Sequence, residues 1–118
     1  MNTLIIIFIG ILFASSGQIL WKVGMTDIGP ITSVSMGSFV SIVLSPWVIS
    51  GTLCYGLSTV FWLIALSRAD LSFVYPFTSL TFVIIFIASF LLFHEQISAI
   101  RLLGAIIIIS GIIVLVKG

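Results

Sequence analysis

Charge is what this sequence has least of. Of 118 residues only four are Lys or Arg and three are Asp or Glu, 6% in all, against roughly 25% in an ordinary soluble domain. The seven are Lys22, Asp27, Arg68, Asp70, Glu95, Arg101 and Lys117. So few charges cannot cover a soluble domain, and 61% of the residues are hydrophobic. Much of the surface must face lipid, so the chain reads as an all-α integral membrane protein. A net charge of +1, with no Lys/Arg cluster, excludes a nucleic-acid surface.

Other shortages narrow the chemistry. Cys54 is the single cysteine, which leaves no intrachain disulfide and no cysteine metal site. His94 is the single histidine, so a His-rich metal centre and a His relay are excluded. No Gly-rich phosphate loop follows a strand-like segment, and no Ser sits in a nucleophile elbow. The inventory argues against an enzyme, a resident metal or a cofactor. Met1-Asn2-Thr3 also lacks the basic start of a signal peptide. The apolar stretch from Leu4 to about Trp21 would be ~27 Å long as a helix, close to the ~30 Å of a bilayer core. A signal core is shorter, about 7–15 residues, so this stretch predicts a retained first span.

Polar punctuation divides the rest. Gly24-Met25-Thr26-Asp27-Ile28-Gly29-Pro30 predicts a loop after a first span at about 4–22. Residues 31 to 67 carry no charge, and Ser45-Pro46 inside them has the form of a helix start. A second span at about 46–67 follows. The remainder, about 32–44, is too short to cross; Met36, Phe39, Val40, Val43 and Leu44 share one face, with Ser38, Ser41 and Ser45 on the other. This predicts a short amphipathic helix in the interface. A fifth span from Ile31 would need a hairpin at Ser45-Pro46 with almost no loop. The third span is expected at about 71–93, capped by Asp70 and kinked or loosened by Pro76. A turn at His94-Glu95-Gln96-Ile97-Ser98, where Glu95 and Arg101 are placed to pair, leads to a Ser98-capped fourth span at about 99–116. The whole, 1–118, is one transmembrane domain. Four spans put Lys22 and Arg101 on one side and Arg68 and Lys117 on the other, a tie that leaves orientation open.

Candidate functional residues are those that break the apolar pattern. Ala14, Gln18 and Lys22, four apart, share a face of the first helix, overlapping a small-residue stripe of Gly10, Ala14, Gly17 and Trp21. Lys22 either snorkels to the interface or binds an anion at a cavity mouth. Tyr75, Thr78 and Ser79 lie beside the Pro76 break, where they line a cavity or bond their own helix. Trp21, Trp47 and Trp62 suit interface anchoring or packing, with Trp62 also able to reach a cavity. In the fourth span, Gly104 and Gly111 are two turns apart on one face, a pattern for close helix–helix contact.

These elements resemble the four-helix small multidrug resistance and EamA-like branch of the drug/metabolite transporter superfamily. The likeness rests on Ser16-Gly17-Gln18-Ile19-Leu20-Trp21-Lys22, on Phe61 to Arg68 with Val74-Tyr75-Pro76-Phe77-Thr78-Ser79-Leu80, and on Phe93 to Ser98. Within that branch the sequence is similar to the small subunits that flip aminoarabinose-phosphoundecaprenol across the bacterial inner membrane. The branch's drug exporters carry an essential glutamate in the first helix, where this sequence has Ala14. Tyr75 matches their substrate-facing tyrosine, while their nearby tryptophan is Thr78 here. The resemblance implies a dimeric flippase, a homodimer or a heterodimer with a similar subunit, moving a polyprenyl-phosphate-linked sugar by alternating access. Lys22 would hold phosphate, with Gln18, Trp62, Tyr75, Thr78 and Ser79 around the substrate and Gly104 and Gly111 at the dimer contact. A small exporter of cationic drugs or metabolites, and a non-transporting subunit that stabilises a larger partner, are the alternative readings.

Overall fold

The computed structural model describes residues 2–118. Its first helix, α1, runs Thr3–Ile28 and starts where the Asn2 side chain accepts a hydrogen bond from the Leu4 N–H at 2.9 Å. It continues through the expected loop at Gly24–Asp27, six residues past Lys22. Packing explains the extension. Gly24 is buried against the next span, where an added Cβ would lie 2.9 Å from Val48 and 3.0 Å from Trp47. That contact outweighs the weak helix propensity of glycine. The helix stops at Gly29, whose φ of 92° is open to glycine and strained for other residues. At 26 residues α1 is ~39 Å long, more than the ~30 Å hydrocarbon core.

The short helix α2 covers Met36–Leu44, starting later than the expected 32, because Ser35 caps it by accepting from the Ser38 N–H at 3.2 Å. None of its residues is buried. Ser45 ends α2 and caps α3 (Pro46–Arg68), accepting from the Val48 N–H at 3.5 Å, and Pro46 occupies a first-turn position where no donor is needed. One serine thus separates the two helices, and no fifth span forms.

The third span is broken. A single turn, α4 (Leu71–Val74), passes through a 3₁₀ turn at Tyr75–Phe77 into α5 (Thr78–Leu91). Pro76 lacks an N–H and crowds the carbonyl four residues back, so the chain tightens there. Asp70 holds the cap position, but its side chain makes no cap bond. Val74 and Phe77, flanking the break, are buried with Ile6, Ile7, Ile11 and Ala65, which anchors it in the core. The turn to α6 (Ala99–Lys117) is closed by His94 at a φ of 53° and by the Glu95 N–H bonding the Ser89 carbonyl at 3.0 Å. Ser98 then caps α6 by accepting from the Arg101 N–H at 3.2 Å.

The tightest packing joins α1 to α3. A Cβ on Gly17 would sit 2.6 Å from the Gly51 carbonyl oxygen, and one on Gly51 2.6 Å from that of Gly17. Trp21 closes over the crossing, donating from Nε1 to Thr52 Oγ1 at 3.1 Å and lying 5.1 Å from the Tyr55 ring. At the far side, α6 buries only Ala105. The helices Thr3–Ile28, Pro46–Arg68, Leu71–Leu91 and Ala99–Lys117 are each long and apolar enough to cross a bilayer. Large apolar side chains such as Leu12, Leu53, Leu63 and Ile107 stand on their outer faces. This is an all-α membrane protein, with four such helices among the described residues.

Candidate functional site

A cavity of about 270 Å³ opens between α1, α3 and the broken third span. From α1 it is lined by Gly10, Ile11, Ala14 and Gln18, from α3 by Tyr55, Ser58, Thr59 and Trp62, and from the third span by Tyr75, Thr78 and Thr81. Local structure explains each wall. The i, i+4 spacing of Gly10, Ala14 and Gln18 keeps them on one face of α1, beside the glycines that let α3 approach. The 3₁₀ turn swings Tyr75 towards α3, where its ring meets Trp62 edge-on at 6.2 Å and 70°.

Among the described residues, no Asp, Glu, Lys, Arg or His lines this cavity. Its polar groups divide by the bonds they already make. Ser58 and Thr59 both donate to the Tyr55 carbonyl, and Thr78 donates to the Tyr75 carbonyl at 2.7 Å. Their protons are committed, so these hydroxyls present lone pairs. The Gln18 amide, the Tyr55 and Tyr75 phenols, the Trp62 indole N–H and the Thr81 hydroxyl make no side-chain hydrogen bond within the described chain. Thr81 is 9% exposed, so its hydroxyl faces little besides the cavity. The result is a neutral pocket with spare donors and acceptors. Such a wall suits a hydroxyl- or amide-bearing group and offers no counter-ion to a cation.

Of the residues expected from sequence, Gln18, Trp62, Tyr75 and Thr78 meet on this wall. Lys22 is exposed one turn beyond Gln18 and does not line it; Ser79, half-buried, does not line it either. Ala14, where the resemblance sets a glutamate in the exporters, is part of the wall. Tyr55, Ser58, Thr59 and Thr81 were not anticipated. Tyr55, Ser58, Thr59 and Trp62 fall at i, i+3, i+4 and i+7, a polar stripe along an apolar span that periodicity could have revealed. Gly104 and Gly111 do not line the cavity, and a Cβ on either would meet nothing within 4 Å.

Comparison with known proteins matches residues 43–117 to the EamA-like transporter family. The chain belongs to the EamA-like transporter family. The matched region carries α3, the broken third span and α6, and with them two of the three cavity walls. Over 71 residues the chain is 42% identical to an Aeromonas salmonicida protein named "Probable 4-amino-4-deoxy-L-arabinose-phosphoundecaprenol flippase subunit ArnE", covering 60% of this chain and 62% of that relative. Proteins of the same name from Aeromonas hydrophila and Salmonella paratyphi B are 39% and 38% identical over 71 and 69 residues, covering 60% and 58% of this chain. The match spans 62% of the length of each of these relatives. No solved structure matches the chain. This EamA-like protein is a multi-pass protein of the bacterial inner membrane and a member of a transporter family.

Proposed function

We propose that this EamA-like chain is a flippase subunit that moves a polyprenyl-phosphate-linked sugar, or a similar anionic amphiphile, by alternating access of a dimer. The observation that carries the reading is the neutral, hydrogen-bonding cavity beside the Pro76 break. A sugar presents hydroxyls that both donate and accept, and the cavity's uncommitted groups do the same. The hydrocarbon tail needs no pocket, because lipid surrounds the outer faces. Gln18, Trp62, Tyr75 and Thr78 would contact the headgroup, with Ser79 on the same span. Lys22, exposed one turn beyond Gln18, would take the phosphate as it leaves the cavity mouth.

The names of the relatives describe subunits, which supports a partner, either a second copy or a similar small chain. The open stripe at Gly104 and Gly111 is the face proposed for that contact. Export of cationic drugs is the less supported reading, since Ala14 leaves the wall without a carboxylate.

The test is extraction in a mild detergent followed by mass spectrometry of bound lipid. A polyprenyl-phosphate sugar should co-purify and be lost on Tyr75→Phe combined with Gln18→Ala. Retention of cations in place of a lipid-linked sugar would overturn the reading.

A further inference from the structure

A second groove, of about 340 Å³, lies between α5 and α6 and shares no residue with the cavity. Its one end carries Glu95 and Arg101, its other the apolar surface of Phe82, Phe86, Gly104 and Ile108. Glu95 and Arg101 flank the turn, close enough in sequence to pair. Both line the groove, yet no ion pair joins them among the described residues. An exposed pair gains too little from closing to hold two long side chains together. Two opposite charges therefore stand available at one end of an apolar track.

The direction of that track matters. The turn between α5 and α6 joins two membrane spans, so it sits at the bilayer surface. From there Arg101, Gly104 and Ile108 descend α6 along one face, ~10 Å at 1.5 Å per residue. Charge at the surface and hydrocarbon below is the polarity of a phospholipid. The track is open at Gly104, where a Cβ would meet nothing within 4 Å. A wholly apolar groove of about 360 Å³ adjoins it, sharing Phe86 and Ile97 as a ridge. The two tracks can take the two chains of one diacyl lipid.

The charges choose the headgroup. We infer that the α5–α6 groove is a binding site for a phospholipid with a phosphoethanolamine headgroup, whose phosphate meets Arg101 and whose primary ammonium meets Glu95. A guanidinium alone would favour any anionic lipid, but the carboxylate beside it penalises one with no positive group. A quaternary choline has no N–H to give Glu95. A primary ammonium has three donors and satisfies both charges at once. None of its residues lines the cavity, so the site does not rest on the sugar reading; it shares Gly104 with the face proposed for the subunit contact, the lipid lying between α5 and α6 and the second copy against Gly111.

The test uses the purified full chain in nanodiscs of phosphatidylethanolamine, phosphatidylglycerol and phosphatidylcholine in equal parts. Retained lipids are counted by native mass spectrometry after mild detergent release. Phosphatidylethanolamine should be retained about tenfold over either competitor, from two charge-assisted contacts weakened by exposure. Glu95→Gln should pass the preference to phosphatidylglycerol, and Arg101→Gln should remove retention of both. Equal retention of the three lipids by the unaltered chain would overturn the site without recourse to any variant. So would an unchanged headgroup ratio in Glu95→Gln, or a lipid-free dimer showing that a second copy covers the groove.

Discussion

Helices α1 and α6 both carry glycines seven residues apart, and the two stripes end in opposite surroundings. On α1, Gly10, Gly17 and Gly24 all face α3, with the Gly51 carbonyl 2.6 Å from where a Cβ on Gly17 would stand. On α6, Gly104 and Gly111 face open space. Spacing makes a flat track, but the opposing helix decides whether it closes. Opposite Gly17, α3 supplies Gly51, so two backbones can touch. Beside Gly104, α5 supplies Phe82 and Phe86, whose rings hold the helices apart and leave a groove. A small-residue stripe is a statement about shape, and its occupant has to be read from the other side.

The largest effect should come from closing the filled stripe. In Gly17→Leu the new side chain meets backbone that cannot rotate away, so overpacking should cost about 3 kcal/mol or more. Thermal unfolding in detergent measures it, and a variant that melts like the unaltered chain would show that the α1–α3 crossing can loosen. Gly51→Ala should fail for the reciprocal reason, by about 1–3 kcal/mol.

Binding separates the two helices next, because α1 supplies a wall of the cavity and α6 supplies none. On the proposed reading, Lys22→Gln should remove a charge-assisted contact worth roughly 1.5–3 kcal/mol, a tenfold to hundredfold loss of polyprenyl-phosphate affinity. Lys22→Arg should keep much of the binding, since the charge stays. Equal affinity in the unaltered chain and Lys22→Gln would make Lys22 a snorkelling residue only.

Smaller effects belong to the open stripe. Gly111→Leu lies outside the α5–α6 groove, and it should leave the single chain's stability within about 0.5 kcal/mol while lowering dimer yield in crosslinking. Unchanged crosslinking in Gly104→Leu and Gly111→Leu together would take α6 out of the proposed subunit contact.

What the sequence disclosed follows the same division. Features set locally were legible: the Ser45-Pro46 and Ser98 helix starts, the Pro76 break and the four apolar spans each depend on neighbours within a turn. Features set by another helix were not. The length of α1 was missed because Gly24 looks like a loop residue until Val48 and Trp47 pack against it. Half of the cavity's polar wall was missed for a different reason, since Tyr55, Ser58 and Thr59 carry no charge to draw notice. Asp70 was expected to cap because of its residue type, yet only the position is used.

The effect expected to be smallest tests the cavity itself, against the sites elsewhere that do carry charge. Binding that depends on a buried carboxylate varies steeply with pH, because ionisation switches a counter-ion on and off. On α1 the resemblance would set such a group at Ala14, and among the described residues no Asp, Glu or His lines the cavity from any wall. Affinity for the proposed sugar headgroup should therefore change by less than about twofold between about pH 6 and 8, once ionisation of the ligand's own phosphate is accounted for. Fluorescence of Trp62, whose indole N–H is uncommitted, reports occupancy across the series, with Trp62→Phe as the blank. Installing the carboxyl in Ala14→Glu should create what the unaltered chain lacks, cation binding that rises with pH. Steep proton-linked uptake of a cation by the unaltered chain would defeat the neutral-cavity reading. The coupling carboxylate would then lie outside the cavity, with Glu95 at the α5–α6 groove the first to test, or on the proposed partner.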